Sequence, residues 1–194
     1  MTGTLEEARN ALHAGNLVVY PTETVYGLGG DALNPDAVER VFAAKARDRS
    51  KPISMAVPDL ETAHEYGSLD DREAAFVERF LPGPVTVVVE KRQVVPDVLT
   101  AGRDRVGIRI PDDEVALSLL QEVSPVTATS ANRSGNPSAR RVTDLDSRVR
   151  DAVSVVLDGG ETPGGGSTVV DVNRNVVHRA GPCADEVRAW LDEH

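Results

Sequence analysis

The sequence has few of the residues on which several common folds and chemistries depend. It contains one cysteine, Cys183, so an internal disulfide framework is excluded and a reducing, cytoplasmic location is expected. The four histidines are scattered without ligand spacing, which excludes a structural zinc site. No apolar run approaches the length of a transmembrane helix, and the N-terminus lacks the pattern of a signal peptide. We therefore expect no membrane association.

Three motifs of nucleotide binding and nucleophilic catalysis are also missing. The sequence has no G-x-x-x-x-G-K-[ST], and the glycines of Tyr26–Gly30 do not match G-x-G-x-x-G. A P-loop and a Rossmann fingerprint are thereby excluded. The absence of G-x-S-x-G leaves acyl transfer by an activated serine without support.

The charge balance excludes one further class and singles out one segment. A net charge of -10 argues against a general nucleic-acid binder, because binding to a phosphate backbone requires a basic face. Acidic residues are abundant and lysine is scarce, which favours a salt-adapted organism. Two of the three lysines lie in the cationic cluster Lys45, Arg47, Arg49 and Lys51. If extended, this segment places all four cations on one side, where they could clamp phosphates. The alternative is a solvated charged loop.

Helical and strand-like patterns interleave along the chain. Periodicity and capping signals predict helices from Thr4 to about Gly15, from Asn34, over Asp70–Leu81, over Asp113–Glu122 and over Ala184–Leu191. Strands are predicted at Leu17–Tyr20, Ile53–Val57, Val85–Glu90, Val106–Ile110, Val126–Thr129, Val153–Leu157, Thr168–Val172 and Val176–Arg179. The last two strands resemble a hairpin, so antiparallel pairing is expected. We predict one α/β domain over residues 1–194, with a mixed, twisted sheet and flanking helices.

Four further polar segments, most of them at predicted strand ends, could form a ligand site. They are Tyr20–Gly29, Arg103–Pro111, Val126–Pro137 and Gly164–Asp171. The structural alternatives are a β-to-α connection for the first, a self-capped surface loop for the third and a hinge or hairpin for the fourth. In the second, Arg109 lies on the inner face of a strand, so it meets either an acidic residue or a ligand carboxylate.

Six short segments, in this order along the chain, carry a resemblance to a known family. They are PTETVYGLG at Pro21–Gly29, K-x-R at Lys45–Arg47, LPGPVT at Leu81–Thr86, R-x-P at Arg109–Pro111, S-A-N-x-S-G at Ser130–Gly135 and STVVD at Ser167–Asp171. The ordered set resembles the YrdC family of threonylcarbamoyl-adenylate synthases and covers nearly the whole chain. This resemblance implies a mixed α/β fold with a concave ligand cavity.

The resemblance also implies a reaction and its participants. L-threonine, bicarbonate and ATP would give L-threonylcarbamoyl-adenylate and pyrophosphate, a nucleotidyl transfer that feeds the t6A37 modification of tRNA. Mg²⁺ would arrive with ATP rather than in a dedicated protein site. A functional link to the tRNA threonylcarbamoyl transferase complex is implied, whereas direct tRNA binding is expected to be weak.

Site residues follow from the same resemblance, position by position. The ATP contacts would be Lys45, Arg47, Lys51, Asn132, Arg140 and Arg179. The threonine contacts would be Thr24, Arg109, Ser130 and Ser167. Lys45, Arg47, Ser130 and Asn132 would carry catalysis by positioning the reactants, since no covalent nucleophile is evident. Arg49, beside Asp48, has the weakest support within the cationic cluster.

Two departures from the family pattern and three alternatives accompany this assignment. Asp48 follows Arg47 where relatives often have proline, and Ala56 and Val57 offer no imidazole where relatives place a histidine that contacts threonine. The resemblance also leads us to expect the short form of the family, without the further domain of longer relatives. The alternatives are an RNA-binding module of this fold, a paralogue without threonine-dependent activity, and a carbamoyl-transferring homologue of the hydrogenase-maturation type.

Overall fold

The computed structural model describes residues 2–194, which form eight α-helices and ten strands. The helices are α1 Leu5–His13, α2 Pro35–Lys45, α3 Leu60–Tyr66, α4 Asp71–Phe80, α5 Asp97–Thr100, α6 Glu114–Glu122, α7 Ser147–Ala152 and α8 Ala184–Glu193. The strands are β1 Leu17–Tyr20, β2 Gly27–Gly29, β3 Ser54–Ala56, β4 Gly67–Ser68, β5 Val85–Lys91, β6 Arg105–Arg109, β7 Val126–Ser130, β8 Val153–Val156, β9 Thr168–Asp171 and β10 Val176–Arg179. Within residues 2–194, none of the helices has both the length and the apolar character needed to span a membrane.

One sheet unites all of these strands. Nine follow the order β10-β9-β5-β6-β3-β7-β2-β1-β8, and β4 pairs with β5 outside this path. The pairs β1 with β8, β3 with β6 and β5 with β9 are parallel, whereas the others are antiparallel. β9 and β10 form the hairpin that the sequence predicts. The prediction of a mixed sheet is therefore confirmed.

The helix starts follow the predicted capping signals. Thr4 and Glu7 form a reciprocal capping box at the start of α1, and the Asn34 side chain accepts hydrogen bonds from the first turn of α2. Pro35 occupies the first position of α2, where no hydrogen-bond donor is required. The Asp70 side chain caps α4 in the same manner as Thr4 caps α1.

Helices cover both faces of the sheet, but not equally. The larger apolar core packs α2, α3, α4, α5, α7 and α8 against one face, through residues such as Phe42, Phe76 and Val187. A smaller core packs α1 and α6 against the other face, beneath β1 and β7. The part of this second face over β3, β5, β6 and β9 is left open to the cavity described below.

Several short strands and helices of the structure are not predicted by the sequence patterns. β2 consists of Gly-Leu-Gly and was predicted only as part of a polar loop, because three residues with two glycines carry no strand signal. It is a strand because it pairs on one side with β1 and on the other with β7. Helices α3, α5 and α7, of seven residues or fewer, were likewise absent from the prediction.

Candidate functional site

The open part of the sheet lines a cavity of about 660 Å³. Because side chains alternate along a strand, Arg105, Gly107 and Arg109 of β6 line the cavity while Val106 and Ile108 pack in the core. Alternate residues of four other strands reach the same space: Ser54 and Ala56, Thr86 and Val88, Ala128 and Ser130, and Val169 and Asp171. Arg109 thus lines the cavity because the period-two pattern places it on the strand face opposite the apolar residues.

Arg109 has an acidic partner within the protein. Its Nη2 lies 2.9 Å from Oε1 of Glu23 in an ion pair and donates a hydrogen bond of 2.9 Å to Oγ1 of Thr24. The Thr22 hydroxyl fixes this turn, because it accepts from the backbone N–H groups of Thr24 and Val25 and donates to the Val25 carbonyl. Of the two partners foreseen for Arg109, the structure shows the acidic residue.

Ser167 and Arg179 form a second polar corner of the cavity. Arg179 donates from Nε to the Ser167 carbonyl and from Nη2 to the Ser167 hydroxyl, both at 2.8 Å. The Ser167 hydroxyl is also 2.9 Å from the hydroxyl of Thr86 on β5. Three side chains from three different strand regions therefore meet in one hydrogen-bonded group.

Arg47 is one of six arginines that line the cavity, the others being Arg103, Arg105, Arg109, Arg174 and Arg179. The sequence predicts a ligand contact for three of them, Arg47, Arg109 and Arg179. The Nε of Arg47 donates to the Lys51 carbonyl at 3.1 Å and its Nη2 to the Pro52 carbonyl at 2.8 Å. Burial lowers the pKa of Arg179, and repulsion from Arg109 and Arg47 lowers it further. Among the described residues only Arg109 of these three has a carboxylate partner, through Glu23. The cavity therefore carries excess positive charge and suits a ligand with several negative charges.

Lys45 lies behind the cavity rather than in it. It is the last residue of α2 and only 1% exposed. Its Nζ donates to the carbonyl oxygens of Ser130 and Asn132 and, at 3.5 Å, to the Asn132 side chain. Burial, followed by the charge of Arg47, lowers the pKa of Lys45 to about 7. The lysine thus ties α2 to the end of β7.

The extended arrangement of the cationic cluster is wrong. Lys45 is helical, and Ala46 adopts a left-handed conformation with φ 46°, which turns the chain before Arg47. Arg49 is exposed and pairs with Glu39 at 2.6 Å, away from the cavity, and Lys51 is exposed as well. Of the four cations, only Arg47 lines the cavity.

Asn132 and Arg140 border a neighbouring cavity of about 340 Å³. Ser138 lines both cavities, so the two are adjacent. The Asn132 amide donates to the carbonyls of Arg133 and Asn136, and its Oδ1 accepts from the Ser130 hydroxyl. Arg140 is half-exposed and pairs with Glu161 at 3.0 Å. Asn132 therefore shapes its own loop, as the structural alternative proposed, while it also faces a space.

Glycines and one tyrosine form the cavity floor beside β7. Tyr20 on β1 pairs with Gly27 on β2, and a Cβ atom on Gly27 would lie 2.8 Å from the tyrosine ring. The Tyr20 hydroxyl donates to the Thr127 carbonyl at 3.1 Å, and burial raises its pKa to about 12. The glycine of this motif is thus required by the packing of a buried aromatic ring.

The position that departs from the family pattern also faces the cavity. Ala56 is the cross-strand partner of Arg109 and lines the cavity, whereas Val57 is buried in the larger core. A side chain longer than alanine at residue 56 would therefore stand beside the Arg109 guanidinium.

No resident metal centre is built into the described residues. Within residues 2–194, no group of three or more His, Cys, Asp or Glu side chains is arranged to hold a metal ion. The carboxylate of Asp171, which faces the cavity, pairs with Arg105 at 2.9 Å.

Thr86, which lines the cavity, and Glu23, which pairs with Arg109 from outside the lining, are not among the predicted site residues. Thr86 was noted only as the end of LPGPVT, and its hydroxyl proves to contact Ser167. Glu23 was noted only as a letter of PTETVYGLG, and it proves to be the counter-ion of Arg109. An arginine on the inner face of a strand demands a partner, so this signal was present, but the sequence could not say which carboxylate would supply it.

Comparison with known proteins identifies a family for this chain. The sequence model of the Sua5, YciO and YrdC family, described as "Telomere recombination", matches residues 10–181. The chain belongs to this family. A curated relative, threonylcarbamoyl-AMP synthase of Pyrococcus abyssi, is 40% identical over 168 residues, which are 85% of this chain and 49% of the relative. The putative threonylcarbamoyl-AMP synthase of Methanocaldococcus jannaschii is 36% identical over 157 residues, 81% of this chain and 74% of the relative.

Solved structures of the family share the fold. The Pyrococcus abyssi Sua5 structure in complex with L-threonine has a TM-score of 0.88 at 37% identity, covering 97% of this chain and 57% of that one. Escherichia coli YciO has a TM-score of 0.84 at 24% identity, covering 92% of this chain and 89% of that one, and supports the fold alone. The chain spans about half the length of the Pyrococcus abyssi relative.

Proposed function

We propose that this chain is an L-threonylcarbamoyladenylate synthase, a nucleotidyltransferase that converts L-threonine, bicarbonate and ATP into L-threonylcarbamoyl-adenylate and pyrophosphate. One observation carries the proposal. Thr24, Arg109, Ser130 and Ser167 converge on a single cavity that Arg47 and Arg179 also line. The family relatives named threonylcarbamoyl-AMP synthase, and the Sua5 structure with bound L-threonine, support the proposed activity.

The cavity lining offers contacts for two ligand groups, which would meet at the hydrogen-bonded pair Ser167 and Arg179. A threonine carboxylate would meet Arg109, with the hydroxyls of Thr24, Ser130 and Ser167 around it, because arginine binds carboxylates through a planar fork of N–H donors. The phosphates would lie between Arg47 and Arg179, whose guanidinium groups have only neutral oxygens as protein partners among the described residues. The uncompensated charge of these two arginines matches a polyphosphate.

The remaining nucleotide would extend toward the adjacent cavity. Asn132 and Arg140 line that space and Ser138 connects it to the main cavity. Lys51 is exposed near Arg47 and could reach a phosphate only from the rim. Lys45 would act on the nucleotide through the Ser130–Asn132 backbone that it holds. Lys45 thus remains in the catalytic set, with an indirect role.

The mechanism supported by these residues is positioning with charge stabilisation. The N-carboxylated amino group of threonine would present an oxygen to the α-phosphorus of MgATP, and pyrophosphate would leave with its bond electrons. Arg47 and Arg179 would stabilise the charge that develops on the leaving group, because preorganised cations need no rearrangement at the moment of reaction. In this proposal magnesium would enter as part of the MgATP substrate; within residues 2–194 no group of three or more His, Cys, Asp or Glu side chains is arranged to hold a metal ion.

Location and partners belong to the same proposal. The product would be consumed by the enzymes that install t6A37 on tRNA, which implies a cytoplasmic location and a functional link to the tRNA threonylcarbamoyl transferase complex. Direct binding of tRNA is not required, and the net charge of -10 does not favour it.

The decisive experiment measures pyrophosphate release by the purified chain at high salt. ATP, Mg²⁺, bicarbonate and L-threonine are supplied together, and then bicarbonate or threonine is withheld. We expect release that depends on both, with L-threonylcarbamoyl-adenylate detected by mass spectrometry. Release that continues without either one contradicts the proposal, as does salt-resistant binding of tRNA in a chain that makes no product.

A matched pair of variants tests the proposed phosphate contact of Arg47. Arg47→Ala removes a guanidinium that lines the cavity, whereas Arg49→Ala removes one that pairs with Glu39 at the surface. We expect the first to reduce kcat/KM for ATP by about a hundredfold and the second by less than about twofold, since loss of a charged contact to a phosphate costs about 2 to 3 kcal/mol. Equal losses in the two variants contradict the assignment of Arg47.

A further inference from the structure

Glu23 occupies a largely buried position outside the cavity lining. Its side chain is 15% exposed, and both carboxylate oxygens are buried without a hydrogen-bond donor among the described residues. Thr22 and Thr24 on either side belong to the cavity lining, whereas Glu23 is not part of the lining and pairs with Arg109. A buried carboxylate without hydrogen bonds is costly, so its ion pair with Arg109 is the feature that compensates for it.

Arg109 in turn depends on this carboxylate. The guanidinium groups of Arg47, Arg109 and Arg179 line one cavity, and Arg179 and each of the other two repel one another. Arg47 and Arg179 are each held by two hydrogen bonds to neighbouring oxygens. Arg109 has one hydrogen bond, to Thr24, and the charge of Glu23. Without that charge, the repulsion would act on the least constrained of the three.

We propose that Glu23 is a positioning residue, which holds the Arg109 guanidinium at the cavity wall and thereby sets the affinity for a substrate carboxylate. The inference rests on the proposed function insofar as that carboxylate belongs to L-threonine. It assigns Glu23 no contact with substrate, because the side chain is not part of the cavity lining.

Positioning and simple electrostatics predict opposite results for one variant. Glu23→Gln keeps the size of the side chain and removes its charge. If Glu23 only reduced the positive charge of the cavity, its removal would tighten the binding of every anion. If it holds Arg109 in place, its removal weakens binding of the carboxylate that Arg109 receives.

The experiment compares L-threonine and MgATP binding by calorimetry in the full chain. For Glu23→Gln we expect the Kd for L-threonine to rise about tenfold, or about 1.4 kcal/mol, while the Kd for MgATP stays within about twofold. Glu23→Asp retains the charge and should restore L-threonine binding to within about threefold of the original. Glu39→Gln removes the same kind of pair at an exposed site and should change neither Kd.

Two results overturn the inference. The first is that Glu23→Gln binds L-threonine as tightly as the unmodified chain or more tightly. The other is an equal loss of MgATP binding, which indicates a general distortion of the cavity rather than the positioning of one arginine.

A second measurement is independent of threonine. In arginine-labelled protein, the side-chain N–H signals of Arg109, identified by their absence in Arg109→Lys, should show slow rotation of the guanidinium in the unmodified chain and faster rotation in Glu23→Gln. Unchanged rotation refutes the positioning role. If the unmodified chain binds no L-threonine, the proposed function fails, and this measurement still decides the role of Glu23.

Discussion

Lys45 links α2 to the end of β7 through hydrogen bonds. The loss of unfolding free energy when Lys45 is replaced can be predicted from the structure, both in size and in its dependence on pH. Lys45→Met keeps the length of the side chain and removes all three donated hydrogen bonds. The Ser130 carbonyl retains the backbone N–H of Asn132 at 2.9 Å, and the Asn132 side chain retains the Ser130 hydroxyl. Only the Asn132 carbonyl loses its donor in the described structure, and one buried acceptor left unpaired costs about 1 to 3 kcal/mol.

The titration of Lys45 makes this loss depend on pH. Burial lowers its pKa from 10.5 to about 7. Between those two values the unfolded chain binds more protons than the folded chain, so the contribution of Lys45 to stability rises with pH across that window and is smallest below pH 7. From pH 7 to pH 9 the rise is about 2 kcal/mol, at 1.36 kcal/mol for each pKa unit. Methionine does not titrate, so Lys45→Met loses this gain.

Urea denaturation of both chains at high salt provides the assay. The difference in unfolding free energy between the original chain and Lys45→Met should be about 2 kcal/mol near pH 7 and about twice that near pH 9. Lys51→Met, a control at an exposed lysine of the same segment, should stay within about 0.5 kcal/mol at both pH values. A difference in unfolding free energy that does not change with pH would refute the lowered pKa of Lys45. A difference no larger than that of Lys51→Met would refute the stabilising role of the Lys45 hydrogen bonds.

Three other substitutions test separate parts of the fold and site. Gly27→Ala places a methyl group 2.8 Å from the Tyr20 ring and should destabilise the chain by about 1 to 3 kcal/mol, measured by urea denaturation. Burial raises the pKa of Glu73 above its ordinary value of 4.5, so ionisation of this carboxyl group lowers the free energy of unfolding as pH rises above 4.5. Glutamine does not ionise, so Glu73→Gln should gain stability relative to the original chain between acid and neutral pH, measured by thermal unfolding. Ala56→His should lower KM for threonine about fivefold in the pyrophosphate assay, because one new hydrogen bond beside Arg109 is worth about 1 kcal/mol.

The sequence predicted the parts of the fold whose signals are local. Capping residues such as Thr4 and Asn34 indicate a helix that begins within four residues of them. The alternating pattern of Arg105–Arg109 indicates which side of a strand is polar. β2 could not be predicted in this way. Its Gly-Leu-Gly segment becomes a strand only because two distant strands pair with it, and this pairing depends on tertiary structure.

The candidate site divides in the same manner. Arg109 and Ser130 reach the cavity because they lie on predictable strands or at their ends, and Thr24 reaches it from the loop between β1 and β2. The position of Lys45 behind the cavity was not foreseeable, since its partner Asn132 is 87 residues away in the chain. Spacing along the chain identified this lysine, but only the contact across the fold shows what it touches.

The contrast between the surface and the cavity explains how an acidic chain can hold an anionic substrate. The chain carries a net charge of -10, whereas its cavity is lined by six arginines and two aspartates, Asp104 and Asp171, and Glu23 pairs with Arg109 from outside the lining. Screening reduces the field of exposed charges beyond about 10 Å at 0.1 M salt and about 3 Å at 1 M salt. The acidic surface therefore contributes little repulsion inside the cavity at high salt, while guanidinium groups in direct contact with a ligand retain their attraction. Affinity for a polyphosphate should for this reason fall far less with salt than non-specific binding to nucleic acid does, and a steep salt dependence of MgATP binding would contradict direct contact.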